Sequence, residues 1–250
     1  PAMRDALFAG HVGNDGSAVL WGQAMGAELA DLGGYQGHGS WAVPQGVLIT
    51  WALMMEGGVQ INRLGQRFHD ETQGYSEAAV QVLAQPQGVA WNVFDDPLLA
   101  LARDFPDFVS AEAAGAVRHF ADVAALAQGL DCPMDALQRT LDTVRPGVDA
   151  LTGREFRRPL QAPFHAIQVT GALFHTQGGL SINDQMQVLT PTGQVFENWL
   201  AAGGAARGVS GNAVWGYLSG NGLLSAVAGG HLAAQTAARL CGAGPIGRGT

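Results

Sequence analysis

Between Pro97 and Pro146 the chain carries three helical segments, "DPLLALARDF", "SAEAAGAVRHFADVAALAQGL" and "PMDALQRTLDTVRP", the last with Pro133 near its first turn. Strand-like stretches stand on both sides, "GVAWNVFDD" before them and "FHAIQVTGALFHT" after. This is the pattern of a mixed α/β chain with a small helical insertion. Upstream, "NDGSAVLWGQAMGAELADLGG" opens on helix-capping residues and closes on Gly33-Gly34, which predicts one helix. "QGVLITWALMM" reads as a strand with an irregular continuation, "GGVQINRLGQRFHDET" as a hairpin turning at Leu64-Gly65, and "SEAAVQVLAQ" as a helix. Downstream, Thr192-Gly193 between Val188 and Val195 predicts a second hairpin. A glycine-rich loop then leads into a last helix, "LLSAVAGGHLAAQTAARL".

Composition narrows the function classes. Apolar residues at 47% and charged residues at 14% describe a globular chain, and its 250 residues suffice for one large domain or two small ones. The net charge of -8 reads as solubility. The 13 basic residues are all arginine and scattered apart from "REFRR", so no basic stripe invites nucleic acid. Asp95-Asp96 and Arg157-Arg158 read as turn and surface residues. Cys132 and Cys241 sit in no metal-like or redox spacing, and the dispersed histidines predict no metal. The longest apolar runs fall short of the ~20 residues of a membrane span. No stretch resembles a signal peptide, so the expected location is the cytoplasm.

Three segments in order resemble the fumarate reductase/succinate dehydrogenase flavoprotein family, of the FAD-binding 2 type. They are "INRLGQRFHDE", "FHAIQVTGALFHTQGGLSIN" and "GQVFENWLAAGGAARGVSGNAVWGYLSGNGLLSA". The resemblance runs across nearly the whole chain, and the helical insertion falls where the family carries its capping domain. It implies an α/β fold (α+β in this stretch): an incomplete Rossmann-like FAD-binding domain plus a capping substrate domain with β-hairpins and a helical insertion. The implied boundaries are 1-40 and 171-250 for the FAD-binding parts and 41-170 for the cap. The family's strand–G-x-G-x-x-G–helix unit is not in these residues. The expectation is therefore a fragment that need not bind FAD alone.

The family adds or removes two hydrogens across a C–C bond next to a carbonyl or carboxylate, one as hydride to flavin N5 and one as a proton. By resemblance, His175 is the substrate-holding histidine, His38 a second one, and Thr50 the substrate threonine. Trp51 stands where a glutamate is usual, and Tyr75 where a proton-donating arginine is usual. The final arginine has no counterpart, and Trp215 and Tyr217 lie near its place. Without these arginines a dicarboxylate is poorly held, and the tyrosines resemble the ketosteroid dehydrogenase branch. Tyr75 then takes the proton while His175 and Tyr217 orient a carbonyl; His38, Thr50, Trp51 and Trp215 bind substrate. Flavin contacts are implied at Asp15, Gly16, Gly203 and Gly204, the last replacing a usual glutamate, and at Ser219, Gly220, Asn221, Gly222 and Leu223. Plainer readings stay open: His38 bonded to backbone, Tyr75 capping its helix, Tyr217 packing.

The expected protein is an FAD-dependent oxidoreductase with a small carbonyl or carboxylate substrate and an unnamed electron acceptor. Two alternatives stand beside it. One is a tricarballylate, dicarboxylate or fumarate-type enzyme, if Arg207 or a further segment supplies the missing charge. The other is a non-catalytic remnant unable to bind FAD.

Overall fold

A computed structural model of the chain describes residues 3–242. The chain divides into two compact units: the stretch ending at Phe8 with Gly37–Leu173, and Ala9–Gln36 with the chain from Phe174 onward. In chain order the elements begin with β1 (Leu7–Phe8), α1 (Ser17–Ala24), β2 (Leu29–Ala30), β3 (Tyr35–Ala42), β4 (Val47–Leu48), α2 (Ala52–Met55) and β5 (Val59–Ile61). Next come α3 (Tyr75–Leu83), β6 (Val89–Asp95), α4 (Asp96–Ala102), α5 (Pro106–Ala113), β7 (Arg118–Phe120), α6 (Val123–Leu130) and α7 (Met134–Thr143). The remainder are β8 (Gly147–Val148), β9 (Glu155–Phe156), β10 (Phe164–Thr176), β11 (Gly179–Leu180), β12 (Gln187–Leu189), β13 (Val195–Leu200) and α8 (Asn221–Leu240).

In the larger unit a seven-stranded sheet runs β4-β3-β10-β6-β5, with β1 and β7 also paired to β10. Side chains alternate across a strand, and here both faces are covered. Ala90, Phe94, Ile167 and Val169 pack on one side with Leu53, Ala78, Val82, Leu98 and Phe108. Trp91, Val93, Phe164 and Ala166 pack on the other with Leu126, Leu130 and Leu137. That double burial is why "AWNVF" reads as one apolar run with a single polar residue. Helix α3 lies very close to the sheet over a strip of glycines. A Cβ on Gly39 would stand 2.6 Å from Ala78 Cβ, one on Gly37 2.8 Å from Ala79 Cβ, and one on Gly171 would collide with the Ala79 carbonyl. This contact fixes where the first residue of α3, Tyr75, is held.

The smaller unit pairs β2 with β11 and β12 with β13, both antiparallel, around Ala27, Leu180, Val188, Ala201 and Ala206. The β12–β13 turn falls at Thr192-Gly193, where Gly193 takes φ +79°. Helix α8 buries only Gly229 and Thr236 of its twenty residues, leaving Leu223, Leu224 and Val227 exposed. No helix among the described residues is long and apolar enough to cross a membrane. Nor does any group of three or more His, Cys, Asp or Glu residues among them suit a metal ion.

Several local expectations are corrected. The helix of "NDGSAVLWGQAMGAELADLGG" ends at Ala24, because Gly26 turns to φ +80° and Leu29–Ala30 is taken by β11. The turn at Leu64-Gly65 is present, with the Asn62 N–H donating to the Gln66 carbonyl, but no strand returns from it. Instead β5 pairs with β6, where Val59 and Ile61 meet Val93 and Trp91. "TWALMM" forms the short helix α2 rather than an irregular tail. The insertion holds four helices, not three, because Gly115 at φ +74° breaks the middle segment and Arg118–Phe120 joins β10. Asp95 is not a surface residue: it is 1% exposed and accepts from Arg158 Nη2 at 2.9 Å.

Candidate active site

The larger unit gathers His38, Trp51 and Tyr75. His38 stands in β3, buried, with its ring stacked on Tyr75 at 4.8 Å and 20° and edge-on to Trp51 at 5.7 Å. Its Nδ1 accepts the Ser40 N–H at 3.1 Å, so the neutral ring carries its proton on Nε2. Burial pushes the imidazole from 6.5 down to about 3. A histidine held neutral when folded but charged when unfolded lowers stability as pH falls from about 6.5 toward 3. His38→Gln is expected to flatten this dependence between about pH 7 and pH 5, read from urea midpoints. Equal slopes for variant and wild type would refute it.

Trp51 is in the core and donates from Nε1 to the Glu71 carbonyl at 3.1 Å. Thr50 Oγ1 accepts the Ala52 N–H at 3.3 Å, at the start of α2. Tyr75 follows the 3-10 turn Glu71–Gln73 and Gly74, which takes φ +127°. That turn is anchored by the fully buried Glu71. Glu71 Oε1 accepts from Arg67 Nε at 2.9 Å and from the Gln60 N–H at 3.1 Å; its Oε2 accepts from Arg67 Nη2 and Arg154 Nη1, each at 2.7 Å. Burial alone would raise this carboxyl, but the hydrogen bonds and charges of Arg67 and Arg154 hold it below the usual glutamate value. Arg67 also pairs with Asp149, and both guanidinium groups lie over the Phe156 ring. In the sequence Arg154 is simply the first arginine of "REFRR". Only the Arg67–Glu71 spacing of "R-F-x-x-E" hints at a pair. A cleft lined by Arg67, His69, Asp70, Gln73 and Gln81 opens on this unit, but it contains none of the residues singled out from the sequence.

The smaller unit gathers His175, Tyr217 and the start of α8. His175 stands at the end of β10, and Tyr217 meets its ring edge-on at 5.8 Å. Gly222 leaves room for that ring: a Cβ there would lie 3.0 Å from His175 Cε1 and 3.3 Å from Nε2. Trp215, in the turn Val214–Gly216, is 77% exposed. Arg207, the one arginine of the closing loop, is already paired with Asp31, at 2.9 Å from Nε and 2.6 Å from Nη2. The Gln177 amide and the Ser210 hydroxyl, absent from the sequence reading, lie between His175 and Asn221; a polar residue two positions after the histidine was their only signal.

The residues implied for FAD lie at the start of α8, in the turn Gly203–Ala205 and at the start of α1. Gly220 caps α8 in the left-handed region (φ +88°), and Ser219 precedes it. The first-turn N–H groups of Gly222 and Leu223 have no carbonyl one turn earlier in the helix, which suits a negatively charged ring edge. Side chains are lacking at Gly204 and Gly220, where a Cβ would meet open space, and Leu223 in the first turn of α8 is exposed. Gly203 takes φ +59° in the turn Gly203–Ala205. Gly16, at φ +77°, caps α1, and Asp15 Oδ1 accepts the Ser17 N–H at 2.9 Å. An open, apolar, N–H-presenting surface of this kind fits a flavin.

A family model described as FAD binding domain matches residues 1–223. The probable fumarate reductase Ifc3 of Shewanella frigidimarina (strain NCIMB 400) is 28% identical, over 96% of this chain and 41% of its own length. The open conformation of a flavocytochrome c3 fumarate reductase superimposes with a TM-score of 0.74 at 26% identity, over 96% of this chain and 43% of that one. The fold is also similar to that of 3-ketosteroid-delta4-(5alpha)-dehydrogenase from Rhodococcus jostii RHA1, with a TM-score of 0.67 at 24% identity, over 95% of this chain and 48% of that one. The chain thus spans less than half the length of each of these proteins.

Proposed function

The chain belongs to the FAD binding domain family, and on that premise we propose that it serves a flavin-dependent dehydrogenase acting on the C–C bond α,β to a carbonyl. The observation that carries this reading is the company of His175. Its neighbours are Tyr217, Gln177 and Gly222, while Arg207 is engaged by Asp31, so the surroundings suit an uncharged carbonyl better than a carboxylate.

Bound FAD supplies the hydride acceptor. The chain's own residues do the rest. His175 Nε2–H and the Tyr217 hydroxyl donate to the substrate oxygen, which acidifies the adjacent C–H. Tyr75 takes the proton, held in place by its stack on neutral His38 and by the Glu71-anchored turn before it. Gly222 and Leu223 hold the cofactor edge through their N–H groups. A dicarboxylate is the second reading, favoured by the names of the relatives.

Steady-state turnover with an artificial electron acceptor separates the two. The FAD-loaded protein is expected to oxidise a saturated cyclic ketone and to leave succinate untouched. Turnover of succinate alone would reverse the assignment. Gly222→Ala gives a finer check, because alanine favours a helix over glycine by about 1 kcal/mol. Its Cβ nevertheless crowds His175 Nε2. The expected result is an unchanged or raised Tm with kcat/KM for the ketone lowered about 10-fold or more. Unchanged kcat/KM would remove Nε2 from substrate recognition.

A further inference from the structure

We propose that Gln177 is a positioning residue that fixes His175 as the Nε2–H tautomer, at the end of a hydrogen-bond relay that starts on the first residue of α8. The relay runs in one direction. Asn221 Nδ2 donates to Ser210 Oγ at 3.2 Å, the Ser210 hydroxyl donates to Gln177 Oε1 at 2.9 Å, and Gln177 Nε2 donates to His175 Nδ1 at 2.8 Å. An amide accepts only through its oxygen and donates only through its nitrogen, so with Oε1 on the Ser210 hydroxyl and Nε2 on His175 the ring nitrogen is the acceptor. Ser210 is 6% exposed and Gln177 5% exposed, so water competes little for these groups.

A rival contact is present: His175 Nδ1 also lies 3.3 Å from the Thr176 carbonyl. A bond there would need the proton on Nδ1, which the shorter contact with Gln177 Nε2 excludes. With Nδ1 accepting, the ring's proton sits on Nε2, the nitrogen beside Gly222. In the opposite tautomer a lone pair would face the substrate oxygen and repel it. The functional meaning of the relay rests on the reading of His175 as a carbonyl donor, but the tautomer itself does not. The relay also links His175 by hydrogen bonds to the first residue of α8.

The experiment is a long-range ¹H–¹⁵N correlation spectrum of the histidine-labelled chain, with His175 assigned by the signals lost in His175→Asn. Wild type is expected to show a bare Nδ1 and a protonated Nε2. Gln177→Glu makes position 177 acceptor-only, so the His175 Nδ1 signal is expected to shift to the protonated range. Gln177→Met keeps the side-chain length without either bond and is expected to mix the two tautomers. It also carries the test if the glutamate variant fails to fold. A wild-type Nδ1–H pattern, or a His175 pattern unchanged in the folded variants, would overturn the proposal. In FAD-loaded protein, Gln177→Met is expected to raise KM for the ketone more than it lowers kcat. Should the tautomer respond while ketone kinetics do not, the relay stands and the carbonyl reading of His175 fails.

Discussion

Glu71→Ala is expected to destabilise the protein by about 3–5 kcal/mol, the cost of leaving buried charges without their partner. Glu71 and the side chains of Arg67 and Arg154 are 0%, 1% and 1% exposed, and Asp149 compensates only Arg67. Arg154 keeps hydrogen bonds to the Gly58 and Met54 carbonyls but loses the one carboxylate it pairs with among the described residues. The loss should be read as a lowered denaturant midpoint at unchanged m. A change below about 1 kcal/mol would mean that water or rearrangement satisfies the arginines. The sign of the pH dependence follows from the same group. Its folded carboxyl lies below the ordinary value of about 4.3. The stability it contributes is therefore present above that value and lost as pH falls through the folded one. The acid limb of wild type should steepen below about pH 4.3 and be shallower in the variant.

Tyr75→Phe is expected to lower turnover by about 10²–10⁴-fold with little change in stability. The substitution removes the hydroxyl, the group proposed to take the proton. It keeps the ring that stacks on His38, so the first turn of α3 holds its place on the Gly37, Gly39 and Gly171 strip. KM should move far less than kcat, because the lost interaction belongs to the proton-transfer step rather than to binding. Activity within a few-fold of wild type would return Tyr75 to a packing role against His38.

The long elements were legible because their patterns are local. The strand character of "FHAIQVTGALFHT" foretold β10, the Thr192-Gly193 turn foretold β12–β13, and the segment after the glycine-rich loop foretold α8. Arg118–Phe120 was not legible. Two of its three residues are exposed and nothing in them alternates; its partner lies 46 residues away, His119 against His165. The Glu71 centre was half legible. The Arg67–Glu71 spacing is local, but Arg154 arrives from 83 residues away out of a segment that reads as basic surface. In the candidate site, "HTQGG" pointed to His175 by resemblance. The role of Gln177 depends on Ser210 and Asn221, 33 and 44 residues further on, and no local pattern encodes such a meeting.

A carbonyl-linked hydrogen transfer to flavin is tested most directly by anaerobic mixing. FAD-loaded protein mixed with a saturated cyclic ketone in the absence of oxygen should lose its visible flavin band in a single turnover. Tyr75→Phe should slow that bleaching by about 10²–10⁴-fold, and succinate should leave the band intact. Bleaching by succinate at the rate expected for the ketone, or no bleaching by any ketone in a protein that holds FAD, would contradict it.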